Sequence, residues 1–316
     1  MANLGYLQIT RRCNQKCRFC SNPEREVTMK YADGEKYIKK LKKSGYIGVL
    51  FTGGEPTISE YLPRFIRYCG EIHFMHKLIT NGQKLADSDY LAMLVESGLK
   101  HVCLSFHSCK PDVQNYLSQN ENSYKNLVHA LNNLSEYRDI VVDILTTINK
   151  FNASHLSDNV KFLMENYPFI HHFSWNNLDP RRNRTSQYPE VIPTLRDFEL
   201  ELKLAMDYLH ASKKLFQVER VPLCYMAEYA HLSTETRKIV KDDERIIHFL
   251  DERGTLVWQD YMHGKAARCK ICTVESICAG LIEMDTYYSS DELYPLFIDK
   301  DRIVARVMSA SRAEIE

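Results

Sequence analysis

Arg12-Cys13-Asn14-Gln15-Lys16-Cys17-Arg18-Phe19-Cys20 sets three cysteines at a C-x3-C-x2-C spacing directly behind Tyr6-Leu7-Gln8-Ile9-Thr10. The preceding run alternates in polarity and reads as a strand. Three thiolates on one loop form a soft-metal site that lacks a fourth protein ligand. Structural zinc takes four protein ligands. An iron–sulfur cluster is also held by thiolates, and three of them leave one iron open to another molecule. The rest of the chain decides between the two.

Tyr46-Ile47-Gly48-Val49-Leu50-Phe51 is a continuous apolar run, as in a buried parallel strand, and it ends in Thr52-Gly53-Gly54-Glu55-Pro56-Thr57. Further strands are expected over 78–80, 101–107, 140–147 and 169–175, and helices over 33–43, 60–70, 87–96, 122–134 and 154–165 and after Thr194. Gly45 and Gly98 act as stops, and Ser154 and Thr194 as caps. Six strands alternating with helices imply parallel βαβ units with right-handed crossovers. The expected fold class is therefore α/β: a partial (β/α)6 TIM-like barrel over 1–212, with a smaller C-terminal domain over 213–316. Functional loops in such sheets lie beyond the C-terminal strand ends. The three cysteines, Gly53-Gly54-Glu55, Asn81, His107 and a loop with Arg181, Arg182 and Arg184 all fall there.

The pattern changes near residue 213. Phe216–Val221 reads as a strand, and 246–250 and 255–258 flank a hairpin turn at Glu252-Arg253-Gly254. A last helix begins near Asp299. This region carries Cys269-x2-Cys272-x5-Cys278, and Cys224 upstream makes a fourth thiolate. Four cysteines complete a [4Fe–4S] cluster with no open position, and they also suit zinc. Cys69 and Cys109 are alternatives to Cys224 as the fourth ligand.

With 44% hydrophobic and 26% charged residues, the 316-residue chain has ordinary globular composition. Lys plus Arg equals Asp plus Glu at 41 each, which argues against a dedicated nucleic-acid binder. No apolar run reaches membrane-spanning length, and no targeting segment precedes the first strand, so a cytoplasmic location is expected. Six of the ten cysteines fall in two short-spaced clusters and four are spread between them, which reads as metal ligation rather than a disulfide framework.

The cysteine spacing after a first strand, joined to Gly-Gly-Glu-Pro after a second, resembles the radical S-adenosylmethionine (radical SAM) superfamily over roughly residues 4–212. The resemblance implies that Cys13, Cys17 and Cys20 hold a [4Fe–4S] cluster whose open iron binds S-adenosylmethionine. Reductive cleavage of that cofactor releases a 5′-deoxyadenosyl radical, which abstracts a substrate hydrogen atom. It further implies Phe19 against the adenine and Gly53, Gly54 and Glu55 on the methionine amino group. Asn81, Ser105 and His107 would reach the ribose or the carboxylate. The segment with Cys224, Cys269, Cys272 and Cys278 resembles the auxiliary-cluster domains called SPASM or Twitch. No cysteine follows at the position four after Cys278, so one auxiliary [4Fe–4S] cluster is expected.

Cys103 shares a strand face with Ser105 and His107. It and Cys109 are candidates to return a hydrogen atom to a substrate radical, as in radical epimerases, or are small buried hydrophobes. His171, His172, Tyr287, Tyr288 and Tyr294 read as structural.

The implied activity is that of a radical SAM oxidoreductase or maturase. It would modify a ribosomally made peptide by crosslinking, oxidation or epimerisation, or alternatively oxidise or rearrange a small metabolite. A flavodoxin or ferredoxin would be the external reductant. A separate peptide-recognition protein is an expected partner, because no recognition domain fits before Tyr6. Neither nucleic acid nor membrane is an expected partner. A non-catalytic electron carrier or zinc-stabilised binding module would account for the cysteines but not for the Gly-Gly-Glu turn.

Overall fold

The computed structural model describes residues 4–21, 25–181 and 184–310, so Arg182 lies outside the described residues. Seven strands pair parallel in chain order: β1 (Leu4–Thr10), β2 (Gly48–Gly53), β3 (Met75–Thr80), β4 (His101–Ser105), β5 (Val141–Ile148), β6 (His172–Asn177) and β7 (Leu215–Glu219). The helices between them are α1 (Tyr31–Lys43), α2 (Leu62–Glu71), α3 (Ser88–Glu96), α4 (Pro111–Ser118), α5 (Ser123–Ser135), α6 (Leu156–Asn166) and α7 (Leu195–Ala211). Their apolar stripes cover the outside of the sheet. Ile38, Leu41, Phe65, Leu94, Leu127, Leu163 and Leu202 are all buried there, each worth about 1.5–3 kcal/mol.

Two local expectations change. Ser154 does not cap α6: a short 3-10 turn over Ala153–His155 leads into the helix, and His155 takes the cap position. Helix α4, opened by Pro111 in its first turn, occupies a stretch where the sequence pattern suggested no element. Thr194 does cap α7, through a reciprocal box with Asp197.

The sheet runs through the expected boundary at 212/213. Strand β7 pairs with β6 on one edge, while β8 (Arg245–His248) pairs parallel with β1 on the other and carries β9 (Thr255–Trp258) antiparallel. Six strands lie between β7 and β8 in the sheet order. Yet Glu219 at the end of β7 meets Arg245 of β8 at 3.2 Å. A flat sheet would hold those strands about 34 Å apart at the usual spacing, so the sheet curls into a partial barrel and a partly buried ion pair bridges its open side.

Helices α8 (Thr234–Lys241) and α9 (Lys300–Ser309) belong to the C-terminal segment. That segment grips the barrel through polar side chains. Glu292 accepts the backbone N–H groups of Leu195 and Arg196 at 3.2 and 3.1 Å, which places a carboxylate at the positive end of α7. The Tyr288 hydroxyl, fully buried, donates to the Leu178 carbonyl at 2.6 Å.

The barrel interior is polar near its base. Lys77 on β3 and His101 on β4 reach one oxygen of Asp143 on β5, at 2.5 and 2.7 Å. Burial pushes the Asp143 carboxyl up, but the His101 bond and the Lys77 charge outweigh it and hold the group well below the usual carboxylate range. The stability this ionised group contributes is complete above that range and fades as pH falls below it. Asp143→Ala leaves Lys77 buried without its counter-charge, and should lower the unfolding free energy by about 3–5 kcal/mol at pH 7 in a denaturant titration. A loss under about 1 kcal/mol would show that the pair does not hold the barrel base.

Candidate functional site

The site begins where β1 and β2 end. The Gly54 N–H donates to the Thr10 carbonyl at 2.8 Å, and the Glu55 N–H to the Arg12 carbonyl at 2.9 Å. Side chains would not fit between these loops. A Cβ on Gly53, whose φ is +140°, would stand 2.0 Å from the Thr10 oxygen, and one on Gly54 2.1 Å from the Arg12 oxygen. The approach of one loop to the other thus requires glycine at both positions.

The Glu55 carboxylate, too, has protein partners. It is buried and accepts four protein hydrogen bonds. One oxygen takes the Thr57 N–H (3.0 Å), the Thr57 hydroxyl (2.7 Å) and the Thr80 hydroxyl (2.6 Å); the other takes the Asn81 N–H (2.7 Å). Burial raises its pKa, and these bonds oppose the shift. Three of these bonds fall on one oxygen and one on the other, and together they position Asn81.

The cysteine loop rests on α4. Lys16 and Arg18 donate backbone N–H groups to Ser118 and Leu117 at 3.2 and 2.9 Å. The Arg18 guanidinium lies over the rings of Tyr116 and Tyr188, at 4.1 and 4.5 Å from their centroids, a cation–π contact on each side. From above, Arg184 donates its backbone N–H to the Cys20 carbonyl and a guanidinium N–H to the Cys17 carbonyl. Arg181 instead pairs with Asp179 at 2.9 Å.

Cys13, Cys17, Cys20, Phe19, Gly53, Gly54, Glu55, Asn81, Ser105 and His107 all line one cavity of about 270 Å³ at the C-terminal strand ends. Burial pushes the Cys13 thiol up to about 11 and raises Cys17 as well. His107 packs edge-on against Phe19, with ring centroids 4.6 Å apart. Burial lowers its pKa to about 4, so the ring is neutral at pH 7. Its Nδ1 accepts the Thr147 N–H at 3.2 Å, which assigns the proton to Nε2. Among the described residues, no three His, Cys, Asp or Glu side chains are grouped as a single-ion site.

Two candidates fall outside it. Cys103 lies one strand layer below Ser105, buried beside Lys77 and Asp143. The inward face of β4 descends toward the barrel base, so sharing a face with Ser105 does not bring it to the cavity. Cys109 is half-buried, with its N–H bonded to Asn159 at 2.7 Å, and lines no part of the cavity either. Neither is among the residues that line the first cavity.

Cys224, Cys269, Cys272 and Cys278 line a second cavity. Backbone N–H groups of Leu296 and Gly280 donate to the sulfurs of Cys272 and Cys278, at 3.3 and 3.4 Å. Gly280 adopts φ +88°, and a Cβ there would meet the Gly264 oxygen at 2.4 Å. Cys69 is buried in the hydrophobic core instead, which leaves Cys224 as the fourth sulfur of this set.

Asn176, Leu178, Asp179 and Arg220 also line the first cavity, though the sequence pattern does not single them out. Arg220 ends β7 at φ +60°, a conformation that costs a non-glycine residue about 1–3 kcal/mol. Its N–H donates to the buried Glu235 carboxylate at 2.9 Å. The strand-end rule would have found it, but β7 was read as part of a separate domain.

Residues 7–163 match the model of the Radical SAM superfamily. PqqA peptide cyclase of Rhodopseudomonas palustris is 32% identical over 111 residues, 34% of this chain and 29% of that protein. GTP 3',8-cyclase of Aquifex aeolicus is 30% identical over 145 residues, 43% of this chain and 42% of that protein. The matched stretches thus span less than half of either relative. A solved structure described as native anSMEcpe with bound AdoMet and a Cp18Cys peptide superposes with a TM-score of 0.66 at 15% identity, covering 97% of this chain and 96% of that one. SuiB of Streptococcus suis, bound to its precursor peptide SuiA, gives 0.55 at 19% identity over 69% of this chain and 49% of that one. At these identities the two structures show a shared fold.

The Glu55 carboxylate yields a direct test. Glu55→Ala leaves its four donors unpaired and should cost about 2–4 kcal/mol of unfolding free energy. Glu55→Gln, which keeps one acceptor oxygen, should cost less. Equal stability of Glu55→Ala and the parent in anaerobic denaturation would refute the positioning role.

Proposed function

Given a radical SAM domain over residues 7–163, we propose that this chain binds a [4Fe–4S] cluster through Cys13, Cys17 and Cys20, and S-adenosylmethionine at the iron those thiolates leave open. When bound and reduced, this pair supplies a 5′-deoxyadenosyl radical that takes a hydrogen atom from a substrate. The observation that carries the reading is the convergence of all three sulfurs, the glycine turn, Asn81, Ser105 and His107 on one cavity.

The chain's own residues divide the work. The Gly53-Gly54 turn and Glu55 lock the cysteine loop to β2 and β3. Asn81 and Ser105 offer hydrogen-bonding groups to the ribose and the carboxylate of the cofactor. His107 presents a neutral Nε2–H, and Phe19 an apolar ring for the adenine. Residues 1–212 act as the reactive core, and 213–316 carry the auxiliary site. There Cys224, Cys269, Cys272 and Cys278 hold a second [4Fe–4S] cluster. Four thiolates leave it no open position, which suits electron transfer.

The substrate we propose is a ribosomally made peptide that is crosslinked, oxidised or epimerised. The PqqA peptide cyclases of Rhodopseudomonas palustris and Bradyrhizobium diazoefficiens support it, since both match part of the domain. The match to GTP 3',8-cyclase supports a second reading, turnover of a small metabolite. A flavodoxin or ferredoxin serves as reductant in the cytoplasm, with a separate peptide-recognition protein as partner. Among the described residues no helix is long and apolar enough to cross a membrane.

Anaerobic reconstitution should load about eight irons per chain and give reductive cleavage of S-adenosylmethionine, whereas the triple variant Cys13→Ala/Cys17→Ala/Cys20→Ala should keep about four irons and cleave none. Two zinc ions and no cleavage would contradict the proposal. For the substrate, mass spectrometry with peptides encoded beside the gene should show a mass change. No change, while a metabolite is turned over, would favour the second reading.

A further inference from the structure

We infer that Arg220, on the wall of the first cavity, is the anchor for a carboxylate group of the substrate. This rests on the proposal that cofactor and substrate share that cavity. Arg220 is the only Lys or Arg among the described lining residues. It ends β7, whereas Gly54, Asn81 and Ser105 lie at or just past the ends of β2, β3 and β4. In the sheet order β5 and β6 lie between β7 and β4, while the curl of the sheet also brings the end of β7 to β8, the neighbour of β1.

The side chain is held in place but not saturated. One terminal nitrogen donates to the Asn177 carbonyl at 3.3 Å and the other to Glu219 at 3.0 Å. A guanidinium has five N–H donors, so three have no acceptor among the described residues. Glu219 does not neutralise it alone, because Arg245 binds the same carboxylate at 3.2 Å. The strained backbone turns this fork toward the cavity, and the buried Glu235 holds that turn through the Arg220 N–H. Burial and the Glu219 charge raise the Glu235 carboxyl above its usual range, which weakens its claim on the guanidinium.

A planar fork with unpaired donors matches a carboxylate. A planar fork meets two coplanar oxygens, whereas a tetrahedral phosphate presents a third that no second Lys or Arg among the described lining residues would meet. Asp179 lines the same cavity, paired with Arg181, and opposes either anion.

Isothermal titration of the reconstituted protein with malonate, under saturating S-adenosylmethionine, tests the assignment. Malonate should bind, Arg220→Gln should weaken it at least tenfold, and Arg220→Lys, which keeps charge but loses the fork, by a smaller factor. Cofactor affinity should stay within about twofold in both variants. If Arg220→Gln does not fold, Arg220→Lys carries the comparison. Unchanged malonate binding in the variants would overturn the inference. So would competition between malonate and S-adenosylmethionine, which would make Arg220 a cofactor ligand, or tighter binding of inorganic phosphate. Two capped tripeptides, one with its sole carboxylate on a glutamate and one at its C-terminus, identify the source. If neither displaces malonate, the substrate assignment fails. Iron content and cofactor cleavage in the same sample report on the shared-cavity reading separately.

Discussion

One buried carboxylate sets the geometry on which the site depends. Glu55 draws in two threonine hydroxyls and two backbone N–H groups, from its own turn and from the end of β3. Its own N–H and that of Gly54 bind the loop leaving β1. Three strand ends are thereby locked into one register. The glycines follow from the same constraint, since no side chain fits between the β1 and β2 loops. Arg18 and α4 then support the cysteine loop from below, and Arg184 covers it. The three thiols are thus presented to one cavity by a fixed frame rather than by a free loop.

The C-terminal segment is built into this frame. Strand β7 and β8 close the two sides of the curled sheet, and Glu219 with Arg245 bridges the gap. Tyr288 reaches across to the carbonyl of Leu178, a residue of the cavity wall. The barrel base is occupied by the Lys77–Asp143–His101 network, which shares the inward face of β3, β4 and β5 with the cavity above it.

Much of this was legible in the sequence. Apolar strand runs alternating with amphipathic stretches gave the parallel order, and the strand-end rule collected the residues of the cavity. What escaped depends on contacts distant in sequence. The role of Glu55 is set by Thr80 and Asn81, some 25 residues away. Helix α4 is short, and its purpose is to carry Leu117 and Ser118 to the cysteine loop. Cys103 has the right strand periodicity but lies too deep, because a period of two fixes the face and not the depth. Arg220 was passed over when the change of pattern near 213 was read as the end of the sheet, although β7 continues it. Strand bonding ignores such a change in composition.

The central claim is that one cysteine set is open to a cofactor and the other is closed. Electron paramagnetic resonance of the dithionite-reduced, reconstituted protein tests it most directly. With S-adenosylmethionine added, one [4Fe–4S] signal should shift while a second stays unchanged, and the Cys13→Ala/Cys17→Ala/Cys20→Ala variant should retain only the unresponsive signal. A spectrum in which no signal responds to the cofactor, or in which the responsive signal survives in that variant, would contradict the account.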